Sequence, residues 1–210
     1  MTILGDFGRP DAREAQENLR VIRSLMERPT KYSTFSGLSG ILAGAGSLAG
    51  CAITSRVILA QGYTVHGLSG SGAARFLALW ACVTLFAVAA DYMITKRRAA
   101  TVGKYIRSRL GRQMVLSSAP GLFTGALLSV YFLSHGDVSP VYAIWMLCYG
   151  LAVCAVGQFS QREVSFLGLA FLISGTVTLW WPAIGLWMMA AAFGGFHIVY
   201  GVIMARKDGW

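Results

Sequence analysis

The stretch ARFLALWACVTLFAVAADYMIT, Ala74–Thr95, followed at once by Lys96-Arg97-Arg98, decides the fold. Over 22 residues it carries one base, Arg75, and one acid, Asp91, and then stops on three consecutive positive charges. About 20 residues of α-helix cross a hydrocarbon core of ~30 Å. Five more apolar stretches of similar length surround it: Ser33–Thr54, Met114–Leu133, Pro140–Phe159, Val164–Trp181 and Pro182–Met204. Read as six spans, they sort the basic residues by side. Of 18 Lys and Arg, 16 fall on one side: Arg9, Arg13, Arg20, Arg23, Arg28 and Lys31 in the N-terminal arm, Lys96, Arg97, Arg98, Lys104, Arg107, Arg109 and Arg112 in the second loop, Arg162 in the fourth, and Arg206 and Lys207 in the tail. Only Arg56 and Arg75 stand opposite. That asymmetry is the positive-inside pattern, and it predicts both termini in the cytoplasm.

The fold expected is therefore all-α: a polytopic membrane protein with six transmembrane helices in an up-and-down bundle, since short loops force antiparallel neighbours. Two parts follow, a cytoplasmic arm over 1–32 and a six-helix transmembrane domain over 33–210. With 210 residues and 55% hydrophobic content, little mass is left for a soluble domain. The net charge of +9 is absorbed by topology, and no zinc, RNP or helix-turn-helix pattern points to nucleic acid. The first 32 residues are mostly polar and do not read as a cleavable signal peptide. Cys51, Cys82, Cys148 and Cys154 lie within apolar segments without CxxC spacing, and read as reduced packing residues.

Two interfacial helices are expected beside the spans. In Asp11–Arg28, Ala15, Leu19, Ile22 and Met26 recur at helical spacing, acids open the segment and arginines close it, which suits the helix dipole. Ala99–Gln113, between the second and third spans, has no acidic residue. Its Lys104, Arg107, Arg109 and Arg112, with Arg97 and Arg98 just before, are candidate contacts to anionic headgroups, each attracted by ~1 kcal/mol near the surface. Pro120, behind Ser117 and Ser118, is expected to kink the third span near its inner end.

The candidate functional residues are few. Gly40–Gly44 and Gly46–Gly50 are GxxxG pairs, fitted either to helix packing within the chain or to an oligomer seam. His197 is the one histidine inside a span, about 13 Å from Arg206 at 1.5 Å per residue. A polar group at that depth is either satisfied by a neighbouring helix or functional. Asp91 either pairs with the Lys96–Arg98 cluster or faces the bundle. Together with Tyr200, these two form the candidate ligand or proton site. Trp80, Trp145, Trp187, Tyr131 and Tyr142 lie near the outer edge, either as an aromatic belt or as a pocket for an apolar or cationic ligand. His66, His135 and Asp137 in the outer loops carry no metal-ligand spacing, so neither a metal nor a cofactor is expected. Walker, HExxH and Gly-x-Ser-x-Gly motifs are absent, as is a pair of buried carboxylates, and the chain does not read as an enzyme.

The segments RSLMERPTKYSTFSGLSG (Arg23–Gly40) and GGFHIVYGVIMARKDGW (Gly194–Trp210) resemble a loose class of short, uncharacterised bacterial six-span membrane proteins. The resemblance implies six spans and no particular activity. It adds weight to Met26-Glu27-Arg28 and His197 beyond packing. The function expected is a non-catalytic protein of the bacterial inner membrane, a self-associating interaction or accessory subunit with a basic lipid- or partner-binding face. Its partners would be membrane lipids and their anionic headgroups, copies of itself or other subunits of a membrane complex. The alternative is a small transporter or channel using Asp91 and His197 as polar stations.

Overall fold

The computed structural model describes residues 16–20, 37–59, 70–101 and 109–208. The chain divides into two compact units, Met1–Lys31 and Tyr32–Trp210. In the first, 16–20 are helical; the rest of the expected amphipathic arm lies outside the described residues. The second unit is built of helices, and no β-strand occurs among its described residues.

Six helices are long and apolar enough to cross a membrane. Helix α1 (Gly37–Ile53) runs into a π-helical turn, Thr54–Leu59. Helices α2 (Gly70–Thr101), α3 (Arg109–Ser134), α4 (Ser139–Gly157) and α5 (Arg162–Trp180) follow. The sixth span is composite: a 3₁₀ turn at Pro182–Ile184, α6 (Gly185–Met189), a π-helical segment at Ala190–Phe196, and α7 (His197–Asp208). Residues 99–101, expected to open an interfacial helix, continue α2, and 109–113 open α3. Between them, 102–108 lie outside the described residues. Helix α3 passes through Pro120 as one helix, with the Ser117 and Ser118 hydroxyls donating to the Met114 and Val115 carbonyls at 2.9 and 3.0 Å.

Hydrocarbon offers a hydroxyl no partner, so the spans satisfy theirs internally. Ser47, Thr54, Ser129, Ser174 and Thr178 each donate to the carbonyl four residues back, at 2.7–2.9 Å. The turn between α3 and α4 closes by paired backbone bonds, Gly136 N–H to Leu133 and Asp137 N–H to Phe132, at 3.1 and 2.9 Å. This double bond pattern needs a left-handed residue, and Gly136 supplies it with φ 83°.

Small residues set how closely the helices approach. Glycines on α1 meet the sixth span: a methyl on Gly40 would stand 3.1 Å from the His197 carbonyl, and one on Gly44 2.6 Å from the Gly194 carbonyl. On another face of α1, Gly46 abuts Phe86 and Gly50 abuts Val83 of α2. Gly121 and Gly125 seat α3 on Cys148 of α4, while Gly150 and Gly168 bring α4 and α5 together. Along each of these seams residue numbers rise in one helix as they fall in the other, so the partners are antiparallel. The same contacts put Lys96, Arg97, Arg112, Arg162, Arg206 and Lys207 toward one end of the bundle, with Arg56 and Arg75 toward the other. At the first end Lys207 Nζ donates to Glu163 at 2.6 Å and to Gln161 at 3.1 Å, tying the last helix to the α4–α5 turn.

The core gathers Val141, Tyr142 and Met146 of α4, Phe171 of α5 and Met189 and Ala192 of the sixth span, joined by Cys51 of α1, Phe76 of α2 and Leu133 of α3. Met146 and Phe171 are fully enclosed there. Helices α2 and α3 are peripheral. Only 11% of the most apolar window of each is buried, against 56% for α4.

Candidate functional site

His197 opens α7 directly after the π-helical segment, a local widening that often accompanies functional sites. Its Nε2 lies 2.7 Å from the Tyr149 hydroxyl of α4. Phe171 of α5 meets the imidazole edge-on with centroids 5.4 Å apart, and Phe193 stacks on it at 6.1 Å and 14°. Tyr149 in turn packs against Phe171 and Phe193 at 4.8 and 5.0 Å. The ring leans on the backbone of Ala192 and Phe193, but its buried Nδ1 has no hydrogen-bond partner of acceptable geometry. The imidazole thus sits in an aromatic, water-poor setting with one polar bond to a neighbouring span.

Asp91 lies on the stripe of α2 that faces α1, half-buried, and its carboxyl is hydrogen-bonded by Ser39. Ser39 is buried and next to Gly40, whose own neighbour is the His197 carbonyl. Tyr149 is within electrostatic reach of both Asp91 and Tyr200. The fold therefore joins His197 of the sixth span to Tyr149 of α4, and Asp91 of α2 to Ser39 of α1. Tyr149 and Ser39 were not singled out in the sequence. A depth argument would have found Tyr149, which lies midway along α4 as His197 lies midway along the last span.

The aromatic candidates are dispersed. Tyr142 is buried in the core, edge-on to Phe76 at 6.0 Å, and Phe76 also meets Trp80 at 6.3 Å. Trp80 presents a buried Nε1 without a partner. Trp145 lies against Gly125 of α3. Trp187 and Tyr131 are exposed, at 80% and 56%, and Tyr131 packs on His135 of the α3–α4 turn instead. These five are not gathered around one cavity.

Gly40 and Gly44 are occupied by the sixth span, and Gly46 and Gly50 by α2, so both GxxxG pairs are used within the chain. Arg97 and Arg112 are exposed; the side chains of Arg98 and Arg109, and Lys104 and Arg107 altogether, lie outside the described residues. Among the described residues no group of three or more His, Cys, Asp or Glu is placed to hold a metal ion. A groove of about 340 Å³ between α3 and α4, lined by Ser117, Pro120, Gly121, Thr124 and Cys148, opens to the exterior and does not include the Asp91–His197 cluster. Compared with protein-family models, curated proteins and solved structures, the chain gives no significant match to any of them.

Proposed function

We propose that the protein is a non-catalytic component of the bacterial inner membrane, a self-associating interaction or accessory subunit whose basic face is cytoplasmic and meets anionic headgroups or a partner. The observation that carries this reading is the peripheral placement of α2 and α3. Each packs mainly on one neighbour, α2 on α1 and α3 on α4, and leaves large apolar side chains outward, among them Leu85 and Val88 on α2 and Leu116, Phe123 and Leu127 on α3. Because GxxxG packing is consumed inside the chain, self-association would use these outer faces. His197 among phenyl rings is consistent with a packed role rather than with a solute path.

Native mass spectrometry of the protein extracted with its surrounding lipid tests the reading. The expected result is a protein assembly of fixed stoichiometry, either copies of this chain or this chain with another. A monomer carrying only lipid overturns it.

The transport alternative is favoured by one observation, that Asp91 and His197 reach one level of the bundle. Proton flux into proteoliposomes, followed with an internal pH dye, should then disappear in D91N/H197L. Unchanged flux removes those residues from any pathway.

A further inference from the structure

We propose that the wedge between α2 and α3 seats one anionic phospholipid from the leaflet at the basic end of the bundle, its acyl chains between the two helices and its phosphate at Lys96 and Arg112. This deepens the headgroup contact in the function proposed above and rests on it, but not on self-association.

Helices α2 and α3 meet at the end away from the basic cluster. Ala73, Ala74 and Leu77 share a crevice there with Val130, Leu133 and Ser134, and Ala73 and Leu133 join the core. At 3.6 residues per turn, about 18 residues make five full turns. Thr95 therefore repeats the face of Leu77, and Arg112 repeats the face of Val130. Followed from the crevice toward the basic end, both faces are open. Val88 and Tyr92 on α2 are 61% and 55% exposed, and Phe123 and Leu116 on α3 are 70% and 58% exposed. Side chains that met across the gap would not be this open, so the helices part beyond the crevice, over a length of about 27 Å at 1.5 Å per residue. Each is held elsewhere, α2 on α1 through Val83 and Phe86, and α3 on α4 through Gly121 and Gly125.

The shape selects the occupant. A partner helix is about 10–12 Å across along its whole length. It would need as much room at the crevice, where α2 and α3 touch, as at the open end. A phospholipid reaches only halfway through a hydrocarbon core of ~30 Å, the length of about ten helical residues. It fills the open part of the wedge and stops short of the crevice. The walls suit its chains, since Thr84 and Val88 on one side and Leu116, Ala119 and Phe123 on the other carry no charge. The mouth suits its phosphate. Arg112 stands on the wedge face of α3, Lys96 follows Thr95 on α2, and both are exposed. Such long side chains lay their methylenes along apolar surface while the charge stays at headgroup level. Asp91 is the only acid in α2 or α3, and it is half-buried and hydrogen-bonded by Ser39 of α1. The mouth is therefore basic, and it attracts an anionic headgroup over a zwitterionic one.

The test uses the full chain in phosphatidylcholine nanodiscs doped with phosphatidylglycerol that carries a photoreactive diazirine midway along one chain. Labelled residues are mapped by mass spectrometry. Both leaflets hold the probe, so the result does not depend on which way the protein is inserted. Labelling should concentrate on Val88, Tyr92, Leu116 and Ala119, about five-fold or more above Phe166 and Leu169, which are exposed on α5. R112Q should lower it about five-fold and K96Q/R112Q further, as each headgroup charge contact is lost. R162Q, at the same end but on α5, should leave it unchanged. A119W, which fills the wedge and keeps every charge, should abolish it. Labelling as strong on α5 as in the wedge overturns the proposal, and so does equal labelling by a phosphatidylcholine that carries the same diazirine. Labelling unchanged in K96Q/R112Q also overturns it, as do wedge residues cross-linked to a second protein in place of lipid. A monomer labelled as expected upholds the lipid seat while it removes self-association, so the two failures are told apart.

Discussion

The bond between Tyr149 and His197 ties α4 to the sixth span, and its worth can be worked out. Tyr149→Phe removes the hydroxyl 2.7 Å from Nε2 and retains the ring that packs on Phe171 and Phe193. Interhelical hydrogen bonds in membrane proteins contribute about 0.6 kcal/mol on average and about 1.7 at most. Here the loss falls toward the upper end. Nδ1 has only the Phe193 and Ala192 backbone beside it, so the substitution leaves Nε2 buried without any partner. An unsatisfied buried group costs about 1–3 kcal/mol where nothing relaxes. Together these place Y149F at ~1–2 kcal/mol of destabilisation. His197→Phe, which removes both nitrogens at once, should cost less than Y149F in a background that already lacks the hydroxyl. A double-mutant cycle, read by reversible unfolding in bicelles, should therefore give a coupling energy of about 1 kcal/mol. A coupling indistinguishable from zero would refute the reasoning, because it would mean the ring contacts rather than the polar bond hold α4 to the sixth span.

The α1–sixth-span seam predicts a contrast between two glycines. A methyl on Gly201 would meet the Gly37 carbonyl and stand 2.8 Å from the Ile41 amide, so G201V should destabilise by roughly 2–3 kcal/mol or prevent folding, whereas Gly195 has nothing within 4 Å and G195A should lie within about 0.5 kcal/mol of the wild type in the same unfolding assay. At the α3–α4 turn, G136A places a side chain at φ 83° and should cost about 1 kcal/mol, with a near-neutral result arguing that the turn rearranges. Lys207 and Glu163 meet at 2.6 Å but are 49% and 33% exposed, so solvent screens them, and K207A should change stability by less than about 0.5 kcal/mol; a larger loss would mark the tail as a structural clamp.

How much of this could be read from the chain differs by element. The second span was legible because Lys96-Arg97-Arg98 ends an apolar run, although the helix continues past that cluster to Thr101. The glycines of the first span were legible as packing residues but not as to partner: both GxxxG pairs turned out to be used within the chain, on two different faces of α1. Asp91 left two readings open, a bond to the neighbouring basic cluster or a place facing the bundle. A hydrogen bond reaches it from Ser39, buried on a helix far away in sequence, while the Arg98 side chain of the basic cluster lies outside the described residues. The two π-helical segments had no visible signature, since a wider turn depends on how a helix is pressed by its neighbours.

That six helices are long and apolar enough to span a membrane, and which ends carry the charge, is legible in the chain alone. Both follow from the cost of placing polar groups in hydrocarbon, which each segment incurs alone. Which faces meet was decided only by the tertiary structure. In water, an apolar stripe marks the side a helix buries; in a bilayer the lipid side is as apolar as the core, so that mark is lost. Tyr149 and His197, 48 residues apart, thus carry no sign of each other until α4 and the sixth span are packed together.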